Sequence, residues 1–294
     1  MDDSFAHGLN NYTLNTLILS KATTEYLDQH TGRDGNVYHR LSWWSESLGD
    51  RPIGKISRQH IKAALETLKA EGKAPATLNR YKAALSSVFT YICDEHDLKL
   101  NPCREVKQQS ENNARTRFLS DTELPRLLDS AGVSAWPRLY MLILMAITTG
   151  ARRGELINLR WCDINVKART AHIERTKNSD PRIITLIDAV ISELLRFREV
   201  GSGYVFPHPS KLNTPFEYFD HLWQAVKNLS GISDFHFHDL RHTCASLLAM
   251  NGASLLEIAQ VLGHKSITMT QRYSHLCNGH KARLTDRVFG GIAK

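Results

Sequence analysis

TAHIERTKNSDPRIITLI, Thr170–Ile187, is the stretch on which the fold class turns. Both arms are rich in β-branched residues and the KNSDP between them is turn chemistry, so the segment predicts a β-hairpin. The flanking sequence reads as helix. Upstream, WPRLYMLILMAITTG (Trp136–Gly150) is an apolar run shorter than the roughly 20 residues that span a bilayer. It predicts a buried helix stopped at Gly150. GELINLRWCDI (Gly154–Ile164) is expected to continue as helix, and after GSGYVFPHPS (Gly201–Ser210) helix is expected almost to the C-terminus. The chain is therefore expected to be mainly α with a small β-hairpin or sheet, an α+β fold.

Toward the N-terminus the pattern is helical only. In SRQHIKAALETLKAEGK, Ser57 is the expected N-cap, Ile61, Ala64, Leu65 and Leu68 keep helical spacing, and Gly72 is the expected stop. APATLNRYKAALSSVFTYICDEH repeats the scheme, with Leu78, Tyr81, Leu85, Val88, Phe89 and Ile92 on one stripe. With YTLNTLILSKATTEYLDQH before them, these segments make a small bundle of about four helices. Asn101-Pro102-Cys103 breaks the pattern. REVKQQSENNARTRF (Arg104–Phe118) is polar and aperiodic and reads as a linker. LSDTELPRLLDSA then opens a new helix, with Ser120 or Asp121 as its cap. The expected organisation is a helical domain over 12–103, a linker over 104–120, and a mixed α/β domain with a C-terminal tail over 121–294.

The 294 residues suffice for two domains, and 42% apolar with 23% charged residues excludes a disordered chain. The acidic, polar start MDDSFAHGLNNY is not a secretory signal, and no apolar run approaches the roughly 20 residues needed to span a bilayer. An odd five cysteines (Cys93, Cys103, Cys162, Cys244, Cys277) without a CxxC spacing disfavours a disulfide framework or a structural zinc, and points to a reducing cytoplasm. The net charge is +7 and uneven: residues 1–110 carry 14 basic and 13 acidic groups, residues 111–294 carry 23 and 17. A basic surface favours a polyanionic partner such as DNA.

Four stretches put unusual polar groups beside apolar ones. In TTGARRGELINLRW, Arg152 and Arg153 follow the apolar helix directly. Two surface arginines at a helix junction would look the same, but Glu155 is close enough to orient a guanidinium, and a buried Arg needs such a partner. Lys177 sits at the hairpin turn, where a lysine is ordinarily just solvated. FHFHDLRHTCASLL packs His238, Arg241 and His242 into five residues, and helical spacing gives His238 and Arg241 one face. Zinc on His236, His238 and His242 is the competing reading, but no HExxH forms and Arg241 would repel a cation, so no metal is expected. In VLGHKSITMTQRYSHL, Gly263 releases a helix at His264, Ser266 can cap the restart, and Tyr273 follows about two turns on. Most tyrosines are packing residues with a wet hydroxyl, and Tyr273 by itself reads as one. Together, arginines, a lysine, histidines and a tyrosine are a phosphate clamp, a proton donor and an oxygen nucleophile.

These residues resemble the tyrosine recombinases of the phage-integrase group. TGARRGEL is similar to the family's first arginine motif and places the catalytic arginine on Arg152, not Arg153. RTKNSDPRIITL resembles the hairpin whose turn lysine is catalytic, here Lys177. HDLRHT resembles the His-x-x-Arg box, giving His238 and Arg241. LGHKSITMTQRYSH resembles the closing box, giving His264 and the nucleophile Tyr273. The motifs run from Thr149 to His275 in the family's order. ATLNRYKAALSSVFTYIC followed by Asn-Pro is similar to the family's helical core-binding domain. The separate arm-site-binding domain of some phage integrases is not expected here, and GHKARLTDRVFGGIAK matches no family pattern.

The resemblance implies site-specific cleavage and rejoining of DNA with neither metal nor nucleotide cofactor, to integrate or excise a mobile element. Arg152, Arg241 and His264 would hold the scissile phosphate. Tyr273 would attack to leave a 3′-phosphotyrosine, Lys177 would protonate the 5′ oxygen, and His238 would manage the tyrosine proton. The implied partners are double-stranded DNA with inverted-repeat core sites, further copies of the chain (a dimer on one site, a tetramer in the synapse) and accessory DNA-bending proteins. The implied place is the cytoplasm, on the nucleoid. The two domains are expected to close on the duplex as a clamp. A type IB topoisomerase uses the same groups without exchanging strands, and a non-catalytic helical DNA-binding regulator is the other rival. The regulator does not explain Lys177 together with the His–Arg box.

Overall fold

Helix caps and apolar stripes set the first unit. The computed structural model describes residues 15–32, 34–96, 101–111, 115–174, 181–198, 203–277 and 285–290. The chain divides into two units, Met1–Asn113 and Ala114–Lys294. In the first, the α-helices among the described residues are α1 (Leu19–Gln29), α2 (Val37–Leu48), α3 (Arg58–Ala70) and α4 (Pro75–Glu95). Ser57 caps α3 with His60 in the place usually held by Glu: Ser57 Oγ accepts from the His60 N–H, and the Ser57 N–H donates to His60 Nδ1 at 3.2 Å. The apolar stripe of α4 is buried. Trp44 of α2 lies against it, fully buried, and its indole N–H donates to the Tyr81 carbonyl at 2.8 Å.

The polar segment after Asn101 is anchored rather than free along its described length. Asn79 and Gln109 exchange hydrogen bonds at 2.8 and 2.9 Å, and Lys82 donates to the Val106 carbonyl at 2.8 Å. In the second unit, Arg115 forks onto Asp239 at 2.8–3.0 Å and onto Asp234 at 3.0 Å. The Leu119 N–H donates to Thr243 at 3.1 Å. Composition alone misses these anchors, because each is made to a residue distant in sequence.

The second unit is built on α6 (Arg138–Thr149), buried at Leu139 and from Met141 through Ile147, with α5 (Glu123–Gly132) before it. Ser120 caps α5: its Oγ accepts from the Glu123 N–H, and Glu123 answers the Ser120 N–H. Gly150 ends α6 in the left-handed region, at φ +61°. A Cβ there would lie 2.3 Å from Leu262 and 3.2 Å from Cys244 Sγ, so only glycine lets the end of α6 meet these two residues.

The hairpin arms form β2 (Thr170–Ile173) and β3 (Arg182–Thr185), paired antiparallel from Thr170↔Thr185 to Ile173↔Arg182. Ala171, Ile173 and Ile184 face the core, whereas Ile183 is exposed, as the period of two requires. Two expectations need correction. Gly154–Ile164 is not one helix: α7 covers only Arg153–Ile157, a 3₁₀ turn follows at Trp161–Asp163, and β1 (Ile164–Asn165) adds a third strand beside β2. Residues 203–205 take the backbone groups a longer helix would have used: the Val205 N–H donates to the Leu159 carbonyl at 2.8 Å, and the Trp161 N–H to Gly203 at 3.0 Å. Nor is the chain after Ser210 all helix. A ribbon of β4 (Pro207–His208) and β5 (Lys211–Pro215) intervenes after α8 (Asp188–Arg196), seating Phe206, Phe216 and Phe219 around Trp136. Then come α9 (Asp220–Ser230), α10 (Asp239–Met250), α11 (Leu255–Leu262) and two 3₁₀ segments, Ile267–Met269 and Gln271–Cys277. Among the described residues no helix is long and apolar enough to cross a membrane.

Candidate active site

Helix α10 buries the residues a surface helix would expose: Asp239, Arg241, His242, Thr243 and Ser246 all lie inside. Arg241 is 5% exposed. Its Nη1 donates to the Gly150 carbonyl at 2.6 Å, while its buried Nη2 has no hydrogen-bond partner among the described residues. An unpartnered buried donor costs about 1–3 kcal/mol, so this Nη2 contributes nothing to the fold and is left available as a donor. Burial, then the charge of Arg152, pulls the Arg241 pKa down to about 10, leaving it cationic at neutral pH.

Arg152 caps α7. Its N–H donates to Glu155 Oε2 at 2.8 Å and its Nη1 to Oε1 at 2.9 Å. Glu155 also receives Arg182 of β3, at 2.8 and 3.2 Å. Burial pushes the Glu155 carboxyl up, but Arg182 and the Arg152 N–H outweigh it and hold the pKa at about 2. Arg241 feels Arg152, Glu155 and Arg182 together, so three guanidiniums share one carboxylate and the group is net positive. Glu155→Gln would strip the charge partner from two guanidiniums. Breaking a buried pair costs roughly 3–5 kcal/mol, and a denaturant titration should show a loss of that order. The carboxylate is fully ionised above about pH 4.5, so its contribution persists at all higher pH and fades only as pH falls toward 2.

His264 follows the left-handed Gly263, where a Cβ would come within 2.9 Å of the Arg182 side chain. Its Nδ1 pairs with the buried Thr270 hydroxyl at 2.8 Å. With Thr270 donating, Nε2 carries the ring proton and is free to donate. Tyr273, 2% exposed, lies in the segment Gln271–Cys277 among Cys244, Ala245, Ala249, Ile258 and Leu262. Its hydroxyl meets Nδ1 of His242 at 2.5 Å, and burial raises its pKa. His238 stands at the start of α10, exposed as a residue but with its ring partly desolvated, the ring centroid 5.4 Å from that of His242. Burial of its ring and then Arg241 lower its pKa. Lys177 lies outside the described residues.

The structure thus gathers Arg152, His238, Arg241, His264 and Tyr273 around one positive centre. It makes Glu155, the expected partner of a guanidinium, the hub of the group, and it adds Arg182, His242 and Thr270, to which the sequence assigns no role in the site. Arg182 has no local signal. His242 reads from the sequence only as a metal ligand, although its position directly after Arg241 on a helix entering the core is a usable clue.

The phage integrase family profile matches residues 117–280 of this chain, more than half of its length and all of the site. The chain belongs to the phage integrase family of tyrosine recombinases. The recombinase is 29% identical to the integrase of Salmonella phage P22, over 85% of this chain and 74% of that protein. It is 27% identical to a tyrosine recombinase of Thermosipho africanus, over 79% and 84%. Its fold matches a lambda integrase solved as a dimer bound to a COC′ core site, with TM-score 0.72 and 23% identity over 93% of this chain and 81% of that one.

Two desolvated imidazoles, one buried and one half-buried, give the recombinase a pH signature. Burial first, then nearby cations and histidines, hold His242 and His264 at about 4, so both are neutral at physiological pH. The unfolded chain protonates them near pH 6.5. As pH falls from there toward 4, the unfolded state takes up protons that the native state refuses, and stability drops. The denaturant midpoint should be lower at pH 5 than at pH 7. An equal or higher midpoint would mean that these rings are solvated.

Proposed function

We propose that this site-specific recombinase cleaves and rejoins duplex DNA through a 3′-phosphotyrosine on Tyr273, integrating or excising a mobile element. The observation that carries this reading is the unpartnered, buried Nη2 of Arg241 beside Arg152. A guanidinium that stays charged, keeps a free donor and is desolvated is built for a phosphodiester oxygen. Arg152, Arg241 and His264 hold the scissile phosphate. The Tyr273 oxygen attacks phosphorus, the bond to the 5′ oxygen breaks, and Lys177 protonates that oxygen. His238 is the assigned manager of the tyrosine proton. A partner strand's 5′-hydroxyl reverses the step, and the tyrosyl ester conserves the bond's free energy. Phosphoryl transfer needs positioning and charge stabilisation more than covalent machinery, which suits a site of fixed guanidiniums.

Residues 12–103 serve as the core-site-binding domain, 104–120 as the link and 121–294 as the catalytic domain. The partners are inverted-repeat DNA sites, other copies of the chain and accessory DNA-bending proteins, and the working place is the cytoplasm, on the nucleoid. Lambda integrase solved as a dimer on a core site and as a tetramer on a Holliday junction supports the self-association. A Tn1549 transposon integrase solved with circular-intermediate DNA supports the link to mobile elements. The test is a nicked suicide duplex carrying the element's end sequence, followed by exchange on a Holliday junction. The expected result is a covalent product that maps to the Tyr273 peptide, with junction resolution. Supercoil relaxation without exchange would indicate a topoisomerase, and no adduct at all would sink the proposal.

A further inference from the structure

The hydroxyl of Tyr273 is bonded to His242, not to the histidine that the motif assigns to its proton. The contact is short, at 2.5 Å, and both residues are buried, at 2% and 8% exposure. A phenol is the better donor, and the neutral imidazole of His242 offers a lone pair, so the phenol donates and Nδ1 accepts. His242 is adjacent to Arg241 on α10, and the charge of Arg241 reaches the tyrosine. The hydrogen bond therefore ties the phenol oxygen to the helix that carries the phosphate-facing guanidinium.

We propose that His242 is a positioning residue for the nucleophile: its Nδ1 holds the phenol of Tyr273 at α10, beside Arg241, before the DNA phosphate arrives. This rests on the reading of Tyr273 as the nucleophile. Attack needs the reacting atoms about 3–3.5 Å apart and aligned, and a phenol on a short 3₁₀ segment has no such alignment by itself. His242 supplies it by taking a hydrogen bond and no proton. Burial first, and then His238, Arg272 and Arg241 against the opposing Asp239, the groups that face the ring, keep the imidazole a neutral acceptor. Without the phenol, the buried Nδ1 would lose its partner, so the docked arrangement is favoured over a swung-out tyrosine.

Three full-length proteins test this on a nicked suicide duplex under single turnover with saturating enzyme: wild type, His242→Leu and His242→Asn. Asparagine places its amide oxygen near the position of Nδ1. Leucine should slow adduct formation by roughly 10- to 100-fold, the scale on which about 1 Å of misplacement acts, with little change in DNA affinity. Asparagine should recover most of the rate. A leucine variant as fast as or faster than wild type overturns the proposal, and so does asparagine as slow as leucine, which would indicate packing alone. Should leucine fail to fold, ¹⁵N NMR of the ring nitrogens decides: Tyr273→Phe should shift His242 Nδ1 from hydrogen-bonded to free, and an unmoved resonance overturns the idea. A covalent adduct in Tyr273→Phe would instead remove the nucleophile assignment itself.

Discussion

Tyr273→Phe should bind its DNA site with near wild-type affinity and form no covalent protein–DNA product. The substitution removes one oxygen, the atom to which phosphorus would be joined. The ring keeps its packing among Cys244, Ala245, Ala249, Ile258 and Leu262. The structural cost is the lost partner of His242, about 1–3 kcal/mol, which a domain of this size can absorb. Affinity is spread over many phosphate contacts, none of which needs the phenol. A denaturing gel on a nicked duplex reads the adduct, and a native gel on the intact site reads binding. An adduct of wild-type yield in the variant would place the nucleophile on another side chain. The nearby Thr270 hydroxyl is a poor substitute, since it is engaged with His264.

The second large effect belongs to Arg241→Met, in which activity and stability should part. Methionine fills much of the volume while deleting a buried charge whose Nη2 has no partner. Burial and the like charges of Arg152 and Arg182 all disfavour the Arg241 cation and outweigh the pull of Glu155, so the melting temperature should hold or rise. Cleavage should fall on the order of 10³-fold, about 4 kcal/mol of transition-state stabilisation, as for the loss of one preorganised charge-stabilising donor. DNA affinity should change far less, because one phosphate contact among several is lost. Loss of binding in step with cleavage would contradict this division of labour. A marked fall in melting temperature would mean that the Gly150 carbonyl contact and the neighbouring Glu155 make Arg241 a structural residue.

Much of the architecture was legible because its causes are local. Ser57 caps α3, Gly150 ends α6, and the alternation of Ala171, Ile173 and Ile184 sets the hairpin faces; each depends on neighbours a few residues away. The errors came where a distant segment outbid the local pattern. Gly154–Ile164 has the composition of a helix, yet residues 203–205 capture the backbone of Leu159 and Trp161. The ribbon at Pro207–Pro215 was hidden because its strands are short and carry prolines, which are poor strand signals. In the site, Arg152, His238, Arg241, His264 and Tyr273 stood out by residue type and order. Arg182 lies in the hairpin stretch and Thr270 in the closing box, but neither stood out, because the roles they take depend on partners, Glu155 and His264, that only the folded chain brings to them.

What the sequence determines by itself is the set of helices, the hairpin, and the cationic and phenolic groups available for phosphoryl transfer. Their spacing follows from capping, glycine conformation and the periods of helix and strand, all short-range. Only the tertiary structure decides who partners whom. Glu155 reaches Arg182 across 27 residues, and His242 reaches Tyr273 across 31. Those pairs exist because α7 lies near β3 and α10 packs against the segment Gln271–Cys277, bringing polar groups together inside the protein. There, an unpaired group is costly and a paired one is held in place.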